Sequence, residues 1–262
     1  MKVVLFCGGM GMRLREYSDK VPKPMVPIGY RPVLWHVMKY YAHYGHKDFI
    51  LCLGYRADVI KDYFRNYDET ITNDFVVRAG KGVELLGSDA RDWNITLIDT
   101  GLSANIGQRL AAARRYLDPG EMFLANYSDG LTDAPLDRIV KRFEASDKTA
   151  CFLAVRPTFS YHLVDMDQQG EVVDIRHSGE VDLRINGGFF VLRPEIFDVM
   201  HPGEDLVPDP LSRLLQAGKL MAHRHDGFWA AMDTFKDRQM LEDLHAKGQA
   251  PWQVWTTEGE TC

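Results

Sequence analysis

The stretch Val3-Val4-Leu5-Phe6-Cys7-Gly8-Gly9-Met10-Gly11-Met12-Arg13-Leu14, closed by Pro22-Lys23-Pro24, decides how the chain is read. Four apolar, mostly β-prone residues run straight into a loop with glycine at positions 8, 9 and 11. That is the pattern of a buried strand emptying into a loop whose backbone amides can come close to a phosphate. Arg13 and Lys23 flank the loop and supply positive charge. Glycine-rich turns are common in α/β proteins, so the loop alone decides little. It does exclude two motifs. Leu14 stands where a dinucleotide fingerprint needs its third glycine, which disfavours a nicotinamide dehydrogenase, and no Gly-Lys-Ser/Thr follows for a P-loop.

Working outward, Leu34, Val37, Met38, Tyr41 and Tyr44 recur at helical spacing after Pro32, with Gly45 as the stop. Phe49–Leu53 reads as a second buried strand and Ala57–Phe64 as a second amphipathic helix. This alternation predicts a parallel sheet with right-handed crossovers. A short strand over Phe75–Val77 and a loop around Gly80-Lys81-Gly82 lie in a more polar stretch. Asn94–Asp99 is a strand, Ile106–Tyr116 a helix, and Met122–Asn126 a strand that empties into Tyr127-Ser128-Asp129-Gly130. An acidic residue at the carboxyl end of a central strand sits where open α/β sheets bind ligands.

From Ala150 to Leu192 strands dominate, over Cys151–Val155, Glu171–Ile175 and Ile185–Leu192, and the order changes from alternation to an antiparallel addition. Helices are expected near Pro210–Ala217 and Thr234–Lys247, with Asp233 just before the last. Trp252 and Trp255 in the tail are expected to pack on the body or on a neighbouring subunit, since two exposed indoles are unfavourable in water. No linker, low-complexity tract or internal repeat divides the 262 residues. One domain is expected, with a nucleotide-binding half over about residues 1–135, an acceptor half over about 136–235, and a C-terminal helix and tail from 236.

The net charge of −6 argues against a nucleic-acid binder and favours a small anionic substrate held by a few cations. Cys7, Cys52, Cys151 and Cys262 are far apart without Cys-x-x-Cys spacing, and the first three lie in or beside apolar runs, as buried free thiols do. A reducing compartment is expected. The apolar run behind Lys2 is too short for a signal peptide, and no segment approaches the length of a membrane span. A cytoplasmic protein without a membrane partner is expected.

Transfer of a nucleotidyl group needs cations for a triphosphate, a divalent metal to neutralise charge as pyrophosphate leaves, and alignment of the attacking phosphate. Arg13 and Lys23 are candidates for the first, and Asp129 and Asp233 are hard oxygen ligands suited to Mg²⁺. His43-x-x-His46 and His223-x-His225 have no Cys or carboxylate to complete a metal set and read as ordinary histidines.

Gly9-x-Gly11-x-Arg13 followed by Pro22-Lys23, Leu34-Trp35-His36, Trp93–Gly101, Tyr127–Gly130, Ile185–Leu192 and Gly227–Thr234 occur in the order seen in sugar-nucleotidyltransferases. Together they resemble that family over nearly the whole chain, and within it the glucose-1-phosphate cytidylyltransferases. The resemblance implies a Rossmann-like α/β/α sandwich with a mixed, mostly parallel sheet and a small added β subdomain. It implies the reaction of CTP with a sugar 1-phosphate to give a CDP-sugar and pyrophosphate. Asp129 and Asp233 would hold Mg²⁺, and Arg13 and Lys23 would orient the phosphates and stabilise the transition state. Phe6, Cys7, Gly8, Gly9, Met10, Gly11, Met12 and Arg13 would cradle the nucleotide, with Ser103, Gly107, Gln108 and Arg109 on the base and ribose side. Ser128, Asn186 and Gly187 would face the acceptor. The family's members are usually homo-oligomers, which the tail tryptophans fit.

Departures fall on the acceptor side. Relatives carry Glu-Lys-Pro where this chain has Arg176-His177-Ser178-Gly179, without the lysine that contacts the sugar phosphate. Losing such a contact commonly weakens binding by about 1.5–3 kcal/mol unless another group replaces it. Arg176, His177 and Arg184 are candidate replacements. Met12, Ser128, Tyr30 and His162 also stand where relatives have smaller residues. A different phosphate or phosphonate acceptor, or a catalytically silent paralogue that binds a nucleotide sugar, are the alternatives; four converging charges argue against the second.

Overall fold

Val3 and Leu5 point into one apolar cluster and Val4 and Phe6 into another, so the first strand is buried on both faces. A strand of this kind belongs in the middle of a three-layer α/β/α arrangement. The computed structural model of the chain describes residues 1–9, 21–157, 162–177 and 181–255. Among them the strands are β1 (Lys2–Phe6), β2 (Pro27–Ile28), β3 (Arg31–Pro32), β4 (Asp48–Leu53), β5 (Phe75–Arg78), β6 (Gly82–Leu85), β7 (Asn94–Asp99) and β8 (Phe123–Tyr127). They continue with β9 (Gly130–Thr132), β10 (Ala150–Val155), β11 (His162–Met166), β12 (Val172–His177), β13 (Ile185–Asn186), β14 (Phe190–Leu192), β15 (Leu220–His225) and β16 (Trp229–Ala231). The helices are α1 (Val33–His43), α2 (Ala57–Arg65), α3 (Ile106–Ala113), α4 (Leu136–Glu144), α5 (Asp209–Gln216) and α6 (Phe235–Ala246).

The central sheet runs β15, β10, then β13 and β14 in one row, then β8, β1, β4 and β7. β8, β1, β4 and β7 are mutually parallel, β14 is antiparallel to β8, and β15 is parallel to β10. This is the mixed, mostly parallel sheet that the resemblance implies. One face is covered by α1, α2, α4 and α6 through Leu34, Met38, Ile60, Phe143 and Leu241. The other carries α3 and α5 through Leu110, Ala113, Leu211 and Leu214. Trp252 is fully buried in the first face, so the tail docks on the body. Cys7, Cys52 and Cys151 are buried free thiols.

Three elements depart from the sequence reading. The helix α4 is passed over there, although Leu136, Ile139, Val140 and Phe143 repeat at helical spacing and are all buried. Leu220–His225 is a strand, half-buried beside β10, whose apolar signal is diluted by Arg224 and two histidines. Ile185–Leu192 is not one continuous strand. The ladder to β10 is carried across the break by Gly187 N donating to Leu153 O at 2.8 Å and Leu153 N donating to Gly188 O at 2.9 Å. Gly188 (φ 77°) and Phe189 (φ 50°) are both left-handed, which interrupts the regular strand between β13 and β14. Among the described residues four two-stranded ribbons stand outside the main sheet: β2–β3, β5–β6, turned by Gly80 at φ 75°, β9–β16, and β11–β12, which lies in the stretch expected to form the added β element.

Candidate active site

The site lies at the carboxyl ends of β1 and β8, where parallel strands of an open sheet leave a crevice. β8 is followed by Asp129 and then by β9, which pairs with β16 so that Gly130 faces Ala231. One step further along, Met232 N donates to Asp129 O at 3.0 Å. That pairing sets Asp233 beside Asp129 although a hundred residues separate them in sequence. The capping box Thr234/Asp237 then starts α6 immediately behind Asp233, with Asp237 N donating to Thr234 Oγ1 and Thr234 N to Asp237 Oδ2.

Lys23 opens a short 3₁₀ turn, Lys23–Met25, fixed by Pro22 before it and the buried Pro24 within it. Its ammonium donates to Asp233 Oδ1 at 2.6 Å and forms an ion pair with Asp129 Oδ2. The three side chains are 16%, 30% and 18% exposed for Lys23, Asp233 and Asp129, so the cluster is largely shielded yet still open to a ligand. Burial alone would lower the lysine's pKa, but the charges of Asp129 and Asp233 and its bonds to them outweigh it and raise the pKa above the ordinary lysine value. Lys23 is therefore a fixed cation. Two carboxylates that converge on one cation from separate segments are a hard-oxygen donor set. That set fits Mg²⁺, which binds through one or two carboxylates and completes its shell with phosphate oxygens and water. Among the described residues no group of three or more His, Cys, Asp or Glu gathers, so Asp129 and Asp233 would hold such a metal as a pair.

The loop after β1 is described as far as Gly9; Met10, Gly11, Met12 and Arg13 lie outside the described residues. Phe6, Cys7 and Gly8 are buried and Gly9 is exposed, so only the last presents open surface at this end of the cradle. Burial pushes the Cys7 thiol well above its ordinary pKa, which leaves it protonated and unreactive. Gly8 has a specific reason to be glycine: a Cβ there would fall 2.0 Å from Arg109 Nη1.

Arg109 differs from the expectation that it faces base and ribose. It is 2% exposed. Its guanidinium donates to Leu53 O at 3.0 Å, Thr100 Oγ1 at 2.5 Å, Gly101 O at 3.2 Å and Gly8 O at 3.0 Å. These acceptors lie at the ends of β1, β4 and β7, and Arg109 braces them from beneath. Gly107 is likewise a packing residue, since a Cβ there would meet Glu204 O at 2.3 Å. Gln108 serves the α3 capping box, its Oε1 accepting from Asn105 N at 2.9 Å. Ser103 is exposed in the turn before α3.

On the acceptor side, Ser128 is 5% exposed and its hydroxyl donates to Phe6 O at 2.8 Å, tying β8 to β1 rather than facing a ligand. Asn186 Oδ1 accepts from Gly188 N at 2.9 Å, and Gly187 O accepts from Trp229 Nε1 at 2.9 Å. Of the candidate replacements for the missing lysine, Arg176 is paired with Asp165 and Asp174, and Arg184 with Asp182 and Asp226. His177 meets His162 edge-on across the first pair of the β11–β12 ribbon, ring centroids 5.5 Å apart. Ser178 and Gly179 lie outside the described residues. His225 Nε2 lies 2.7 Å from Asp133 Oδ1, in keeping with its reading as an ordinary histidine. The sequence reading assigns no site role to Asn126 or Trp229, which hold the Gly187–Phe189 turn; both are uncharged, Asn126 is hidden in a buried strand, and Trp229 is half-buried within the Gly227–Thr234 motif.

The nucleotidyl transferase family profile matches residues 2–238. The glucose-1-phosphate cytidylyltransferases of Salmonella typhi and Salmonella typhimurium are each 40% identical over 257 residues, covering 97% of this chain and all of theirs. Among solved structures, a UDP-glucose pyrophosphorylase complexed with UDP-glucose superposes with a TM-score of 0.68, covering 94% of this chain and 98% of that one at 13% identity, a likeness of fold. A profile that spans almost the whole described sheet, on a crevice where a lysine bridges two aspartates, leaves one conclusion: the chain belongs to the nucleotidyl transferase family.

Proposed function

We propose that this chain is a cytidylyltransferase that joins CTP and α-D-glucose 1-phosphate into CDP-glucose and pyrophosphate. The observation that carries the reading is the convergence of Lys23, Asp129 and Asp233 at the carboxyl end of β8, in a chain that aligns end to end with glucose-1-phosphate cytidylyltransferases. A phosphate oxygen of the acceptor attacks the α-phosphorus of CTP in line, and the bond to pyrophosphate breaks on the opposite side. Lys23, held cationic by its two carboxylates, is placed to donate to a phosphate oxygen as negative charge builds on it. When bound by Asp129 and Asp233, Mg²⁺ would neutralise the triphosphate as pyrophosphate departs. Arg13 takes its role from the resemblance, as a second phosphate donor. The buried strand ends and the Arg109 brace keep the floor of the nucleotide side fixed while this happens.

The acceptor half is the more open question of specificity, because Arg176 and Arg184 are already committed to carboxylates. A matrix of nucleoside triphosphates against sugar phosphates and phosphonates, read by pyrophosphate release, tests the reading. CTP with glucose 1-phosphate is expected to give the highest kcat/KM. Binding of CTP with no pyrophosphate from any acceptor would replace this reading with that of a silent nucleotide-sugar binder.

A homo-oligomer is part of the proposal. Val164 and Ile175, cross-strand partners on the β11–β12 ribbon, are 46% and 59% exposed, an apolar face that a two-stranded ribbon does not ordinarily leave in water. No described helix is long and apolar enough to cross a membrane, and a cytoplasmic location is proposed on the cysteine pattern.

A further inference from the structure

Asn126 lies in the middle of the sheet on β8, three residues before Asp129, and is fully buried. Its neighbours on the strand, Leu124 and Ala125, are apolar and equally buried. The Oδ1 atom accepts a hydrogen bond from Phe189 N at 2.8 Å, while the carboxamide's other contact, with the buried Tyr41 hydroxyl, falls short of good hydrogen-bond geometry. A buried carboxamide whose nitrogen is poorly satisfied is unfavourable for stability, and an apolar residue of the same size would avoid that penalty. The side chain is thus explained chiefly by its well-formed bond to Phe189 N.

That bond falls on a strained segment. Phe189 holds φ 50°, a region unfavourable for a residue with a bulky side chain, and it follows Gly188 at φ 77°. A Cβ on Gly188 would come within 2.4 Å of Asn126 Oδ1, so the carboxamide and the turn are fitted to each other with no room between them. The turn is held from its other side by Trp229 Nε1 on Gly187 O, and Trp229 belongs to β16, the strand that leads to Asp233. Asn126 and Trp229 therefore fix Gly187–Phe189 relative to both aspartates.

We propose that Asn126 is a positioning residue for the acceptor: its carboxamide holds the left-handed Gly188–Phe189 pair so that Asn186 and Gly187 meet the acceptor at a set distance from Asp129. This rests on the reading of Asn186 and Gly187 as acceptor-facing. Its effect is on the acceptor and not on CTP, because the bond lies on the β14 side of β8, whereas the strands braced by Arg109 lie on the other.

Steady-state kinetics of Asn126→Leu, with CTP and acceptor varied separately, test this. Acceptor KM is expected to rise about tenfold or more while CTP KM stays within about threefold. Asn126→Asp keeps the accepting oxygen and is expected to restore much of the acceptor KM. Gly188→Ala places its methyl against Oδ1, so its effect on acceptor KM is expected to shrink in an Asn126→Ala background. Hydrogen exchange at the Phe189 amide gives a readout independent of catalysis: slow in the wild type and fast in Asn126→Leu. Parallel changes in both KM values, or additive effects of Gly188→Ala and Asn126→Ala, would overturn the proposal. If the wild type turns over no acceptor, the functional reading fails and the clamp is judged on exchange alone, where an equally slow Phe189 amide in Asn126→Leu would overturn it.

Discussion

Arg109 and Asn126 are both buried polar side chains that brace backbone at the carboxyl end of the sheet, one on each side of β8 and β1, and they do it differently. Arg109 is a cation with four neutral acceptors drawn from the ends of three parallel strands. Asn126 is neutral, holds one amide by its oxygen, and leaves its nitrogen poorly satisfied beside Tyr41. The strand ends braced by Arg109, on the side proposed to take the nucleotide, are therefore over-determined, and removing the brace strands several carbonyls at once. The Gly187–Phe189 turn, proposed to face the acceptor, is held by individual side-chain bonds from Asn126 and Trp229 beside its ladder to Leu153, so it is the side on which sequence change is expected to alter what is bound without unfolding the sheet. Between them lies the charged cluster of Lys23, Asp129 and Asp233, which belongs to neither brace and is fastened by the β9–β16 pairing.

The largest effect is expected in that cluster. Lys23→Met removes the cation between two carboxylates and is expected to lower kcat by about a thousandfold, with CTP binding measured by calorimetry much less affected. A Lys23→Met protein with near wild-type kcat would place the chemistry elsewhere and dissolve the distinction between cluster and braces.

Next comes the contrast between the braces. Arg109→Met leaves buried carbonyls without their donor and is expected to destabilise the fold by about 3 kcal/mol, a fall in Tm on the order of 8 °C. Asn126→Leu trades a poorly satisfied amide for packing and is expected to change stability by less than about 1 kcal/mol. Thermal unfolding of the two side by side checks this; a larger loss from Asn126→Leu would reverse the comparison.

The smallest effect concerns pH. The folded pKa of Lys23 lies above its ordinary value of 10.5, so the cluster's contribution to stability is fully present below pH 10.5 and is lost as pH rises through the folded value. The stability difference between wild type and Lys23→Met, from denaturant unfolding, is expected to be flat across neutral pH and to narrow only in strong alkali. Narrowing near neutrality would mean that the lysine is not held charged by the aspartates.

How far these features could be read from the chain differs by region for physical reasons. β1 and β4 are buried parallel strands with dense apolar runs, β7 shows the alternation of a half-exposed strand, and helices such as α1 carry their periodicity openly, so the first half of the chain is legible. Asp129 and Asp233 are legible as acidic residues at the ends of elements, but their meeting depends on the register between Gly130 and Ala231, which no local pattern encodes. Arg109 is set on the base and ribose side by the resemblance alone, which carries no information on depth; its burial under Gly8 is a tertiary fact. The interruption of Ile185–Leu192 is hidden because Phe189 is an ordinary strand residue, yet it sits in a left-handed conformation with its amide donating to Asn126 Oδ1 across the sheet.

The central claim is that Lys23, Asp129 and Asp233 form the centre that transfers a cytidylyl group. Pyrophosphate release from CTP, Mg²⁺ and glucose 1-phosphate by wild type and by Asp129→Ala tests it most directly. Acceptor-dependent release by the wild type, reduced at least about a thousandfold in Asp129→Ala while the variant remains folded, is the expected result. Wild-type rates of release from Asp129→Ala would contradict it.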